Sequence, residues 1–153
     1  LHTGFLQTSD VRRSKFRREA VIDIQETSLN SIIRETGYIN ESDGMNRVIY
    51  RNITVETAML NYLYLKESEK GSDDLTYNLS GLKEDIEQRY GKCVWEISHY
   101  HFAVETAYDS SDLFFSDVEG VDGEEDLPAE RSATSTFTTL GLERVQISLY
   151  IWR

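Results

Sequence analysis

Residues 144–151 alternate strictly between aliphatic and more polar side chains, and this pattern constrains the fold more than any other. The aliphatic positions are Val145, Ile147, Leu149 and Ile151, and the positions between them are Arg144, Gln146, Ser148 and Tyr150. A period of two residues is typical of a strand with one buried face. Phe137, Thr139 and Leu140 precede a turn at Gly141, so we predict an antiparallel hairpin over 136–153.

The length of 153 residues and the formal net charge of −11 bound the class of the protein. This length predicts a single domain with its own core, together with tails. The negative charge argues against general affinity for nucleic acids or anionic membranes, because their phosphates would repel most of the surface. Cys93 is the single cysteine, which excludes an internal disulfide. No apolar run approaches the roughly 20 residues of a membrane-spanning helix.

The charge is unevenly distributed along the chain. Positions 12–18 carry five positive charges, which leaves −16 for the remaining residues. The five residues are Arg12, Arg13, Lys15, Arg17 and Arg18. Such a run is either a solvated basic tail or an anchor on an acidic surface such as a microtubule. The first residue is Leu1 rather than methionine, so we expect that upstream residues have been removed.

Residues 1–45 have the composition of an N-terminal extension that precedes the folded domain. Their one periodic stretch is a helical stripe over 20–37, ended by Gly37. Its apolar positions are Val21, Ile24, Leu29, Ile32 and Ile33. The segment 40–44 has the composition of a turn, so we place the boundary there and predict a domain over 46–153.

Two helices are indicated inside this domain. After a short strand over 47–51, Thr54 is a favourable N-cap for a helix through Leu65. A clearer helix spans 75–90, with apolar residues three or four positions apart and a charged outer face. The apolar positions are Leu75, Leu79, Leu82, Ile86 and Tyr90. Gly91 then fits the residue that ends a helix.

The segments after this helix predict strands and one long loop. Residues 93–108 are rich in aromatic and β-branched side chains, as expected for one strand or for two strands joined near Tyr100. Residues 109–133 are acidic and contain the single proline, which predicts a solvated loop whose 117–130 part can be removed without loss of the fold. The fold class is therefore α+β, with two helices packed on a mainly antiparallel sheet of four or five strands.

Several short segments match a known family in order and spacing. Val48 and Ile49 match the pair that opens the family's domain. Residues 82–90 match its helical run Ile-Lys-Lys-Glu-Phe-Asp-Lys-Lys-Tyr. Trp95 and Ile97 stand where the family has a tryptophan and an isoleucine-bearing strand.

The closing segment carries the longest match. Residues from 136 onward align without a gap with the family's His-Phe-Ile-Tyr-Phe-Tyr-Leu-Gly-Gln-Val-Ala-Ile-Leu-Leu-Phe-Lys, and 102–103 are comparable with its Phe-Gly pair. The matching positions are Phe137, Leu142, Val145, Ile147 and Leu149. Over 47–153 the chain therefore resembles the small dynein light chains, the eight-kilodalton type 1 hub proteins.

The chain also departs from this family. The N-terminal extension and the acidic loop over 109–133 have no counterpart in its compact members. Thr139 and Gly141 stand where the family has large aromatic residues, and its Trp-His pair appears only as Val94 and Trp95. The chain would be a divergent member, whose peptide preference cannot be taken from the family.

The resemblance implies a dimer of identical or different chains, in which each subunit exchanges one strand into the sheet of the other. In the family, the edge of that strand and a helix of the partner form a groove that captures an extended peptide by strand addition. The implied protein is a non-catalytic subunit of a dynein or related cytoskeletal complex, in the cytoplasm, a cilium or an axoneme. Its implied partner is an extended segment of a dynein intermediate or heavy chain, and no cofactor is implied.

The resemblance also places the site residues. The exchanged strand corresponds to Thr136, Phe137, Thr138, Thr139, Leu140, Gly141 and Leu142. Phe102 would line the groove together with Phe137 and Thr139. The two phenylalanines are equally expected as ordinary core aromatics.

Two other function classes stay open. The chain can be a structural subunit or surface interaction module of another large assembly, with the basic extension as its anchor. It can also be a small metal-dependent enzyme, since His99, His101 and Glu105 would share one face of a strand. The sequence contains no phosphate-binding glycine loop, nucleophile elbow or metalloprotease motif.

Overall fold

The computed structural model describes the backbone of residues 18–97, 99–108 and 111–153, and the side chains of these residues except 97, 108 and 111–114. Within this part, the helices are α1 (18–29), α2 (Val55–Lys70) and α3 (Ser80–Ile97). The strands are β1 (Ile32–Asn40), β2 (Asn46–Thr54), β3 (Tyr77–Asn78), β4 (His101–Tyr108), β5 (Ser111–Ser116), β6 (Ser132–Leu140) and β7 (Glu143–Trp152). A short 3-10 helix spans Glu124–Asp126.

The strands form two antiparallel sheets. Sheet A has the order β2-β1-β3, and sheet B has the order β5-β4-β7-β6. The α+β class with antiparallel pairing is confirmed. The strands are divided between two sheets rather than placed in one, and the helical stripe predicted over 20–37 forms a helix only at 18–29, so three helices belong to the described fold.

The segment 18–40 belongs to the folded domain rather than to an extension before it. Helix α1 ends at residue 29, and β1 then runs through Gly37, where the sequence predicted a helix end. A Cβ at Gly37 would overlap the Val48 carbonyl oxygen, so the close approach of β1 and β2 requires glycine there. The turn over 40–44 is the β1–β2 hairpin turn and not a domain boundary, and Gly44 takes a positive φ of 76°.

Thr54 is the N-cap of α2, as predicted: its hydroxyl accepts a hydrogen bond from the Thr57 N–H at 3.1 Å. Helix α3 begins at Ser80 and continues past Gly91 to Ile97, so the prediction that Gly91 ends this helix is wrong. The strand predicted from position 93 begins only at β4. The face of α3 that enters the core carries Leu82, Ile86, Tyr90 and Val94.

Sheet B has a different cover on each of its two faces. The inner face packs on the main core through Val145, Ile147, Leu149 and Ile151, as the alternation predicted. The outer face is covered in part by the segment 117–131, where Leu127 packs with Ala103, Tyr150 and Trp152. The predicted solvated loop over 109–133 is therefore wrong in two respects, since it contains β5 and since Leu127 is buried.

One buried hydrogen bond ties the first helix to the last strand. The Gln25 side-chain amide donates to the Ile147 carbonyl oxygen at 2.9 Å. Val21, Ile24 and Leu29 of the same helix are buried in the main core. Helix α1 is thus an integral part of the domain, and its burial of apolar surface contributes to stability.

Candidate functional site

Strand β6 forms one edge of sheet B. It pairs with β7 without interruption, from Ser132 opposite Ile151 to Leu140 opposite Glu143. No described strand pairs with its other side. Successive residues of an antiparallel strand direct their N–H and C=O groups alternately to the two sides, so half of these groups point to the open edge.

The composition of this edge is unusual for a strand that is left open. Ser132–Leu140 contains no charged residue and no proline over nine positions, and its register has no bulge. Soluble proteins normally protect such edges with lysine, proline, bulges or a covering element. The β6 edge therefore has the backbone groups and the side chains that accept a further strand.

The two faces of β6 differ in burial. Side chains from Ser132 to Leu140 alternate between half-buried and exposed, and Leu140 packs against the main core. On the exposed face, the Arg144 guanidinium lies 4.0 Å from the centroid of the Phe137 ring. Phe137 is 52% exposed, so an apolar ring with a cation above it stands beside the open edge.

The tip of the β6–β7 hairpin adds a second apolar group. Gly141 has a φ of 62°, which allows the tight turn between the strands. Leu142 follows it and is fully exposed. The predicted edge residues 136–142 therefore lie together along one border of sheet B.

Phe102, the remaining predicted groove residue, lies elsewhere. It is buried on β4, two strands away from β6, and its ring packs against Tyr90 with centroids 6.4 Å apart. Ile151, which lies opposite Phe102 in the β4–β7 register, belongs to the inner face of sheet B, whereas Phe137 lies on the outer face. Within one chain, Phe102 is a core aromatic and Phe137 is not.

The outer face of sheet B carries a polar cluster beside Phe137. The Ser135 and Ser148 hydroxyls are 2.7 Å apart, and the Gln146 amide donates to Ser135 at 3.1 Å. Burial raises the pKa of Tyr150, and the carboxylates of Glu105 and Glu124 act in the same direction.

The residues of the metal-enzyme alternative do not form the predicted arrangement. His99 lies in a bend before β4, so it does not share a strand face with His101. The His101 Nδ1 atom is 3.5 Å from the Asp117 carboxylate. Among the described residues, no three His, Cys, Asp or Glu side chains are placed to hold a metal ion.

A second candidate surface, which the sequence did not indicate, is a concave surface that we call the α3–β5 groove. It has a volume of about 420 Å³ and lies between the C-terminal half of α3 and the ends of β4 and β5. Gly91, Trp95, Phe102, Phe115 and Asp117 are among its lining residues. The available signal was the 3.6-residue period continuing beyond Gly91, which puts Trp95 on a helix.

No protein-family model matches the chain, and no curated protein or solved structure is significantly similar to it. In the part of the chain that is described, we find no helix with the length and apolar character needed to span a bilayer. A family assignment therefore rests on the sequence resemblance alone, and function has to be inferred from the two surfaces.

Proposed function

We propose that this protein is a non-catalytic binding module that captures an extended segment of another chain along the open edge of β6. The observation that carries this proposal is the uncharged, proline-free and regular strand Ser132–Leu140 at the border of sheet B. An added strand would satisfy the backbone groups that now face solvent. Hydrogen bonds along the edge give affinity for any extended chain, so side chains must supply the selectivity.

The side chains beside the edge favour a partner segment with an apolar residue opposite Phe137. This ring is half exposed, and the guanidinium of Arg144 covers one of its faces. Residues directly opposite each other on paired strands have Cβ atoms about 4.5–5.5 Å apart, close enough for such a contact. Leu142 at the hairpin tip offers a further apolar contact at one end of the captured segment.

The partner class comes from the sequence resemblance. A dynein intermediate or heavy chain, bound in the cytoplasm or in a cilium, is the partner that this resemblance predicts. Residues 136–142 open the segment with the longest match to the small dynein light chains, which runs from 136 to 153, and they also border the open edge. The dimer of identical or different chains that the resemblance implies is a further part of the proposal.

Two adjacent proline variants test the proposal. Thr138→Pro and Thr139→Pro each remove one N–H, and the alternation along the strand makes one of the two N–H groups point to the open edge. The edge-facing variant is expected to keep nearly the native Tm and to lose partner binding. The other variant removes a bond to β7 and is expected to lower Tm, and so it serves as the matched control.

Hydrogen exchange gives an independent measurement on the unmodified protein. Every second amide of β6 should exchange quickly in the monomer and slowly in the complex, whereas the amides of β7 should be slow in both. Light scattering fixes the oligomeric state in the same sample. A monomer whose β6 amides are all as slow as those of β7 would have a covered edge, and the proposal would then be wrong.

Affinity capture from ciliated cells, followed by mass spectrometry, tests the partner class. The wild-type chain should enrich a dynein intermediate or heavy chain, and the edge-facing proline variant should not. If both proteins capture the same chains, binding does not use β6. If the edge variant loses a partner of another assembly, strand addition stands and the dynein assignment is wrong.

A further inference from the structure

The α3–β5 groove is separate from the β6 edge. In sheet B, β5 and β6 occupy opposite borders, with β4 and β7 between them. Strands are spaced about 4.8 Å apart, so roughly 14 Å separates the two borders. A ligand in the groove would therefore leave the β6 edge accessible.

The floor of the groove is aromatic and well supported. The rings of Phe102 and Phe115 line it and are themselves almost fully buried. Tyr90 supports both rings from below, with centroid distances of 6.4 Å to Phe102 and 6.0 Å to Phe115. Gly91 has no side chain to cover the floor, and Trp95, 57% exposed, stands one helical turn further along as a wall.

The charges at the rim are not balanced. Glu87 lines the groove, and its Oε1 atom is 3.5 Å from Lys83 Nζ. Lys92 also lines the groove, and its Nζ atom is 3.9 Å from Glu96 Oε1. Within each of these two pairs the positive and negative charges cancel to a first approximation, so the imbalance comes from another residue.

Asp117 supplies the remaining charge. One of its carboxylate oxygens accepts the Phe102 N–H at 2.9 Å, and the other is 3.5 Å from His101. Its side chain is only 18% exposed, so water screens this charge less than it screens the two surface pairs.

From these observations we infer that the α3–β5 groove binds a small organic cation with a flat apolar body. The body would lie on the rings of Phe102 and Phe115 beside Trp95, and the positive end would meet the carboxylate of Asp117. Aromatic faces and a carboxylate both attract a cation.

Three ligands of nearly equal shape test this inference on the full chain. They are benzamidinium, which carries a positive charge, benzamide, which is neutral, and benzoate, which is negative. Binding is followed by NMR through the Gly91 amide and the Trp95 indole N–H. We expect benzamidinium to bind with a Kd of about 1 mM or tighter. Benzamide should bind about tenfold more weakly, and benzoate should be weakest.

Two pairs of variants locate the site. Asp117→Asn removes the charge but keeps an oxygen that can accept the Phe102 N–H, and it should weaken benzamidinium binding about tenfold without changing that of benzamide. Asp122→Asn makes the same change at an exposed position of the same segment and should have less than about a twofold effect. Trp95→Ala should weaken all three ligands, whereas Tyr64→Ala, which removes an equally exposed ring from α2, should not.

The inference is overturned by any of three results. The first is equal affinity for benzamidinium and benzamide, and the second is an equal effect of Asp117→Asn and Asp122→Asn. The third is no saturable response of the Trp95 indole below about 10 mM ligand. None of these results bears on the β6 edge, because partner capture by the proline variants is measured without any ligand.

Discussion

The ring of Phe102 occupies the space that a side chain at Gly91 would fill. A Cβ placed on Gly91 would lie 3.0 Å from the Cζ atom of this ring. Glycine in a helix interior costs about 1 kcal/mol relative to alanine, so the sequence alone marks this position as unfavourable for helix. The packing of β4 against α3 explains why glycine stands there nevertheless.

Gly91→Ala tests this explanation. The gain of about 1 kcal/mol in helix propensity should be outweighed by an overpacking cost of about 1–3 kcal/mol, for a net loss of stability. In a Phe102→Leu background, the same change should become neutral or stabilising, because the ring tip is gone. Chemical denaturation of the four proteins measures the coupling. A stabilising Gly91→Ala in the wild-type background would show that the ring moves aside freely.

Leu149 and Leu142 provide a matched pair on the C-terminal hairpin. Leu149 is fully buried on the inner face of β7, and its replacement by alanine should cost about 2–5 kcal/mol. Leu142 is fully exposed at the hairpin tip, so the same replacement should change stability by less than about 0.5 kcal/mol. Urea unfolding of both variants gives the two values. Similar losses at both positions would contradict the described burial of β7.

Tyr90→Phe should be close to neutral for stability. Among the described residues, the buried Tyr90 hydroxyl has no hydrogen-bond partner, and burial raises its pKa well above the usual value. Removing a buried polar group that lacks a partner should lower the free energy of unfolding by at most about 0.5 kcal/mol, or should raise it. Tyr90→Ala should instead cost about 3–5 kcal/mol, since it opens a cavity beneath Phe102 and Phe115. A loss above about 1.5 kcal/mol in Tyr90→Phe would reveal a partner for the hydroxyl, for which the Ser28 side chain is a candidate.

Ionisation of the Tyr50 phenol should make the free energy of unfolding depend on pH in the alkaline range. Its pKa is raised from 10.0 to about 12, first by burial and then by the neighbouring Tyr38. A raised pKa in the folded state means that the stabilisation is complete below pH 10 and is lost as the pH rises towards 12. Unfolding free energies measured from pH 8 to 12 should therefore fall less steeply in Tyr50→Phe than in the wild type. Tyr64→Phe, a change on the exposed surface of α2, is the control and should follow the wild type.

The elements with a clear local signal were predicted well from the sequence. The alternation over 144–151 identified β7, and the Thr54 side chain identified the start of α2. Both signals are local, since one depends on the period of a strand and the other on a single capping bond. The turn at Gly141 was predicted for the same reason, because a positive φ favours glycine.

The errors arose where tertiary contacts override local preference. Glycine stands inside a strand at position 37 because β2 approaches there too closely for a side chain. It stands inside a helix at position 91 because the Phe102 ring lies where a side chain would be. Neither neighbour is visible in the local sequence. The same limit applies to the α3–β5 groove, whose walls come from segments about 10 to 30 residues apart in the sequence. Leu127 could not be separated from its acidic surroundings until Tyr150 and Trp152 were seen to pack on it.

The central position of β7 in sheet B has a consequence for biosynthesis. Strands β4 and β6 are both made before β7, yet each of them has β7 as a neighbour. While residues 143–152 are still inside the ribosome, β6 has no strand to pair with. Its backbone N–H and C=O groups are then unpaired on both sides, and its side chains carry no charge. Sheet B can therefore close only after this last strand emerges, and ribosome-bound chains that stop before Glu143 should be prone to aggregate or to recruit chaperones.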